Sequence, residues 1–176
     1  MLYLSLKHLL SKVPAMENYT MQGRTYRYYG SQVPLYPFGY GLSYTMFHYS
    51  NLEVNPSLLH PCDTLLLSVN VKNTGLRMGV EVVQVYMSWW TASVPVPHWQ
   101  LVGVQRVTIP VGSSVKVSIK ILPRQRAVWT DNWILEPGEF AIYAGGQQPY
   151  QITSVPSNVL QATFIVVGTS RPLSIC

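Results

Sequence analysis

Charge is what this sequence has least of. Lys and Arg together number twelve and Asp and Glu seven among 176 residues, so 11% of the chain is charged. Soluble domains usually carry about 25%. With 48% hydrophobic residues against so few charges, bulk disorder is excluded, and part of the surface is expected to be covered by something else. Long apolar runs are also missing. None approaches the ~20 residues that span a bilayer, so no membrane partner is expected. The excess of +5 is small and dispersed over Arg24, Arg27, Lys72, Arg77, Arg106, Lys116, Lys120, Arg124 and Arg126. A nucleic-acid binder concentrates such charges on one face or in one run, so no nucleic-acid partner is expected.

Cysteine is nearly absent. Cys62 lies near mid-chain and Cys176 is the last residue. They form neither a CxxC nor a metal-ligand pattern. A disulfide would need the tail to fold back until the Cα atoms come within about 7 Å, and two separate free thiols are the expected state. The compartment is left undecided. The opening "MLYLSLKHLLSKV" is not read as a secretory signal, because Lys7 and His8 interrupt its apolar core and no small-residue cleavage site follows. Leu2, Leu6, Leu9, Leu10 and Val13 instead share one face of a short amphipathic helix, which Pro14 would end.

Catalytic constellations are missing too. His8, His48, His60 and His98 are isolated, and there is no GxSxG, no zinc-type spacing and no phosphate-binding glycine loop. No metal, no cofactor and no catalytic residue is expected. Asn18-Tyr19-Thr20 is an N-glycosylation sequon that matters only in a secreted chain. Asn55-Pro56-Ser57 is excluded by its proline.

What is present from residue 46 onward is a series of strands. In "DTLLLSVNVKNTG", Leu65, Leu67, Val69 and Val71 point one way and Leu66, Ser68, Asn70 and Lys72 the other. In "VEVVQVYMSWW", Val83, Val85 and Met87 oppose Val82, Gln84 and Tyr86. "TMFHYSNLEV", "LVGVQRVTI", "VKVSIKIL", "FAIYAGG" and "VLQATFIVV" are further strands. "AVWTDNWIL" reads as a small hairpin with Asp131-Asn132 at its tip. Pro95 and Pro97 make "TASVPVPHWQ" a connection or a sheet edge. Seven or so short strands with Gly, Pro and Asn turns predict an antiparallel β-sandwich of the fibronectin type III or immunoglobulin kind. Trp89, Trp90, Trp99, Trp129 and Trp133 are expected mainly as core or interface anchors, with sugar stacking as the alternative.

One stretch fits no regular element. "YPFGYGLSYT" at 36–45 holds three tyrosines, a phenylalanine, two glycines and a proline, and no charge. It needs a surface to lie against. Together with "GRTYRYYGSQVPLYPFGYGLSYT" at 23–45, in which it falls, "VNVKNTGLRMGVEVVQVYMS" at 69–88, "QLVGVQRVTIPVGSSVKVSIKI" at 100–121 and "LEPGEFAIYAGG" at 135–146, it resembles the C-terminal end of glycoside hydrolase family 3. "WQLVGVQRV" and "MENYTMQGRTYRYY" look most like the β-xylosidase branch of that family. The resemblance covers about residues 14–167.

The resemblance implies an interdomain linker or strap at 14–45 and a fibronectin type III-like domain at 46–167; residues 1–13 fall outside it as a short helix of uncertain origin, and 168–176 as a tail. It implies a non-catalytic module that stabilises a family 3 β-glycosidase acting in carbohydrate catabolism. The partners would be that enzyme's catalytic barrel and α/β domain, met through Arg24, Tyr26, Tyr36, Phe38, Tyr40 and Tyr44. A strap without those partners would make the chain self-associate. Enzymes of this family are often secreted. They hydrolyse glycosides with two carboxyl groups about 5–5.5 Å apart, and their nucleophile lies in a Ser-Asp-Trp-type barrel motif that this sequence lacks. Glu17, Glu53, Asp63, Glu81, Asp131, Glu136 and Glu139 each have an ordinary structural reading, so the chain is expected to be inactive alone. The alternative is an independent module binding a carbohydrate or a protein.

Overall fold

Alternating apolar residues in 46–167 leave each strand with one face that water disfavours, and two sheets bury those faces against each other. The computed structural model describes residues 15, 17–28, 36–149 and 158–176. The amphipathic helix expected at 1–13 lies outside the described residues. Among the described residues, one helical turn, α1 (Thr25–Tyr28), precedes eleven strands: β1 (Phe47–Asn55), β2 (Leu58–Leu59), β3 (Leu65–Asn73), β4 (Gly79–Ser88), β5 (Gln100–Ile109), β6 (Ser114–Ile121), β7 (Val128–Trp129), β8 (Trp133–Leu135), β9 (Gly138–Gly145), β10 (Leu160–Val166) and β11 (Arg171–Pro172). The first sheet has the order β1-β3-β6 and the second β2-β10-β9-β4-β5. A small third sheet has the order β11-β8-β7. Every pairing is antiparallel except that of β2 with β10. This is an all-β sandwich.

The alternation assigns the inner faces correctly. Leu65, Leu67, Val69 and Val71 of β3 are fully buried, as are Val83 and Val85 of β4 and Ile142 of β9. Phe140 stacks on Phe164 at 5.0 Å and on Trp89 at 4.7 Å, which ties β9 to β10 and to the end of β4. On β6, Val117 and Ile121 are buried, whereas Val115 and Ile119 are half-buried at the margin of the core. The Asp131-Asn132 tip joins β7 to β8 as expected. The Pro95–Pro97 stretch is a connection between β4 and β5 and contributes no strand. In β1 a register shift between Ser50 and Glu53 coincides with Asn51 at φ 52°, a bulge at a residue type that tolerates the left-handed region.

The cysteines depart from the expectation of free thiols. Cys62 and Cys176 form a disulfide, with Cα atoms 5.2 Å apart. The tail folds back because it has partners along the way. Arg171 and Pro172 pair with Leu135 and Ile134 of β8, and the turn Leu173–Ile175 delivers Cys176 to the His60–Asp63 turn that holds Cys62.

Candidate functional site

Gln84 and Tyr86 of β4, and Ala141 and Tyr143 of β9, point away from the sandwich core. All four are nonetheless buried. Their cover is the segment before β1. Tyr26 of α1 stacks on Phe38 at 4.0 Å and meets Tyr86 edge-on at 6.3 Å. The Tyr26 hydroxyl accepts from the Leu101 N–H at 3.4 Å. Gln148 donates its side-chain amide to the Tyr26 carbonyl and its backbone N–H to the Phe38 carbonyl, at 3.0 and 2.9 Å. The Gln84 amide donates to the carbonyls of Gly39 and Gly146, both at 2.9 Å, and accepts from the Tyr86 hydroxyl at 2.6 Å. Burial raises the Tyr86 phenol above its ordinary range and keeps it a donor. Gly39 is obligatory here: it has φ +79°, and a Cβ would overlap the Gln84 amide. The strap is thus hydrogen-bonded through its backbone, which accounts for its irregular course without exposing unpaired polar groups.

The other side of the strap has no cover. Tyr36, Phe38, Leu42 and Tyr44 are exposed, Leu42 and Tyr44 almost completely at 91% and 96%. Tyr36 and Tyr40 stack at 5.3 Å with an interplanar angle of 5°. Of the six residues expected at an interdomain contact, Tyr26, Tyr36, Phe38 and Tyr40 therefore form two stacked pairs. Tyr44 stands in solvent. Arg24 is held in the turn before α1, donating to the Asn18 carbonyl at 2.7 Å. Asn18 itself is exposed, its side-chain oxygen accepting from the Thr20 N–H at 3.1 Å. Gln84, Tyr86, Tyr143 and Gln148 were not anticipated as part of this surface. Gln84 and Tyr86 read as the solvent side of an alternating strand, and only the uncharged strap signals that something must lie on them.

Four of the seven carboxylates, Glu53, Asp63, Glu81 and Glu136, have structural partners. Glu53 pairs with Lys116 at 3.1 Å and accepts from Ser68. Asp63 accepts from the His60 N–H at 2.7 Å, and Glu136 accepts from the backbone and hydroxyl of Ser93. Glu81 accepts from the Tyr49 hydroxyl at 2.7 Å. Burial raises its carboxyl above the usual range, and the Tyr49 hydrogen bond works against that shift. Among the described residues no group of three or more His, Cys, Asp and Glu is placed to hold a metal ion.

The tryptophans divide. Trp89 belongs to the core, Trp99 packs on the outer cluster with Tyr86 and Tyr143, and Trp90, Trp129 and Trp133 are exposed.

A strand-rich sandwich with its N-terminal strap laid across the outer face of the larger sheet is a fibronectin type III-like architecture, and residues 81–148 match the family profile described as a fibronectin type III-like domain. The chain is 37% identical over 125 residues to thermostable β-glucosidase B of Acetivibrio thermocellus, an alignment covering 68% of this chain and 17% of that protein. It is 39% identical over 114 residues to a putative β-xylosidase of Formosa agariphila, covering 64% of this chain and 15% of that protein. A solved β-glucosidase from Erythrobacter marinus superposes with a TM-score of 0.70 at 32% identity, over 79% of this chain and 18% of that one. This is the fibronectin type III-like module of glycoside hydrolase family 3. The chain spans less than a fifth of the length of each of these relatives.

Proposed function

We propose that this chain serves as the non-catalytic C-terminal module of a family 3 β-glycosidase of the β-xylosidase-like kind, with residues 14–45 as an interdomain strap and 46–167 as the module proper. Its role is to pack against the catalytic barrel and the α/β domain and so stabilise them. The observation that carries this reading is the two-sided strap. One side is clasped by Gln84, Tyr86 and Gln148, while Tyr36, Phe38, Leu42 and Tyr44 are left bare on the other. An uncovered aromatic stripe of this kind marks an interaction surface. The similarity to short portions of β-glucosidases and a β-xylosidase says what kind of neighbour fits it.

The test has two arms. The purified chain is assayed for nitrophenol release from aryl β-xyloside and aryl β-glucoside, where no turnover is expected. It is then added to the thermostable β-glucosidase B relative shortened by its own matching segment. Complex formation and a raised melting temperature of the shortened enzyme are expected. Turnover that follows the chain through purification, or the absence of any complex, would defeat the proposal.

A further inference from the structure

A cleft of about 610 Å³ opens on a different part of the molecule from the strap's bare side, between the Val94–Pro97 connection, the Pro123–Arg126 turn and the β7–β8 hairpin. Its wall has two kinds of surface. Trp129 and Trp133 meet edge to face at 5.3 Å, are both more than half exposed, and line the cleft. Arg27, Arg124 and Arg126 line it as well, and no carboxylate is among its described lining residues. The cleft floor is formed by the core residues Met87, Trp89 and Val128, so the exposed indoles and the arginines stand at its rim and walls.

The arginines are held in place. The His98 N–H donates to the Arg27 carbonyl at 2.8 Å and anchors the end of α1. The Gln125 side chain accepts from the Leu122 N–H at 2.6 Å and donates to the Val102 carbonyl, which fixes the turn carrying Arg124 and Arg126. Arg126 is buried at 3% exposure. It donates through Nη2 to the carbonyls of Pro61 and Asp63, and the Asp63 charge lies near it. Its Nε–H has no hydrogen-bond partner among the described residues. A buried, unpaired donor on a charged group is costly and points to an acceptor that completes it.

We infer that this cleft is a binding site for an anionic pyranose, a sugar ring bearing a carboxylate. The C–H face of a pyranose packs on indole, and the planar guanidinium fork matches a carboxylate. Arg126 is already fixed by its bonds to the Pro61 and Asp63 carbonyls, which keeps the ordering cost of that side chain low. The choice of a sugar over another anion with a flat apolar face rests on the glycosidase reading above.

The test is titration of the full chain, followed by tryptophan fluorescence and calorimetry, with methyl β-glucuronide, methyl β-glucoside, glucose 6-sulfate and adenosine monophosphate. Saturable glucuronide binding in roughly the millimolar range, with the neutral glucoside at least about tenfold weaker, is expected. Arg124→Gln and Trp133→Ala should each weaken it about tenfold or more, Arg124→Lys less. Circular dichroism should stay native, since both side chains are exposed. Tighter binding of the sulfate ester than of the glucuronide would overturn the carboxylate assignment. No saturation by either anionic sugar, equal binding of the neutral glucoside, preference for the nucleotide, or indifference to Arg124→Gln would overturn it. Neither substituted residue, Arg124 nor Trp133, is on the strap, so a failure here leaves the pull-down result of the strap untouched.

Discussion

Asn73 shows how a single side chain can organise this domain. It is fully buried, and its amide is saturated. The oxygen accepts from the Thr45 hydroxyl at 2.7 Å and the Gly75 N–H at 3.0 Å, and the nitrogen donates to the carbonyls of Arg77 and Ile109 at 2.7 and 3.0 Å. One residue thereby joins the end of the strap, the β3–β4 turn and the end of β5. A buried polar group is tolerated on such terms because every bond it gave up to water is replaced. Glu81 is less well compensated. Burial raises its carboxyl above the unfolded value of 4.5, and the Tyr49 hydroxyl offsets this only in part. The folded chain therefore holds that proton to higher pH than the unfolded chain does. The stabilising contribution is complete below the unfolded value and is lost as pH rises through the folded one. Glu81→Gln removes the titration while leaving an oxygen to accept from Tyr49. Urea midpoints measured from about pH 4 to pH 7 should show wild type losing ground against Glu81→Gln as pH increases. A difference that is flat with pH, or that grows in favour of wild type, would show that the carboxyl is not raised by folding.

At the scale of elements, the tail is the part whose contribution is least expected from its composition. Residues 171–176 add a short strand to β8, one tight turn and the Cys62–Cys176 bond, which closes a loop of 114 residues. A cross-link of that span restricts the unfolded chain over most of the domain. Cys176→Ser should cost about 2–4 kcal/mol in urea unfolding, and a reducing agent should lower the stability of wild type and not of the variant. Two free thiols in the unfolded, unreduced protein would sink this. The long strands were legible because period-2 alternation at Leu65–Val71 and Val83–Met87 leaves one face no choice. The hairpin tip and the Pro95–Pro97 connection were legible from turn chemistry and missing donors. β2 and β11, at two residues each, are too short to show a period. The disulfide was not legible because pairing depends on where the tail goes in space, and β11 sets that through backbone pairing with β8 that its two side chains do not announce. The outer faces of β4 and β9 were missed for a related reason: alternation says which residues share a face, not what lies upon it.

The whole molecule is a sandwich with one sheet face covered by its own chain, and that cover faces two ways. Tyr26 lies under Phe38, against Tyr86, with its carbonyl and its hydroxyl both used. Tyr44 is nearly all in solvent. The two tyrosines lie in the same strap ahead of β1, and the physical argument separates them. Tyr26→Ala removes a half-buried ring and the acceptor of the Leu101 N–H. It should lower stability by about 2–3 kcal/mol, less than the cost of emptying a fully buried aromatic site. Tyr44→Ala removes a ring that touches nothing named here and should change stability by less than about 0.5 kcal/mol. If the bare side is where catalytic domains pack, the order reverses in the complex. Tyr44→Ala should weaken capture of the shortened β-glucosidase while the free domain melts as before. Tyr26→Ala should weaken capture only as far as the strap loosens. Paired melting and capture measurements on the two variants distinguish the alternatives. A Tyr44→Ala variant that binds its partner as wild type does would mean that the exposed ring is surface and not interface. A Tyr26→Ala variant that melts normally would mean that the strap is not anchored by this clasp.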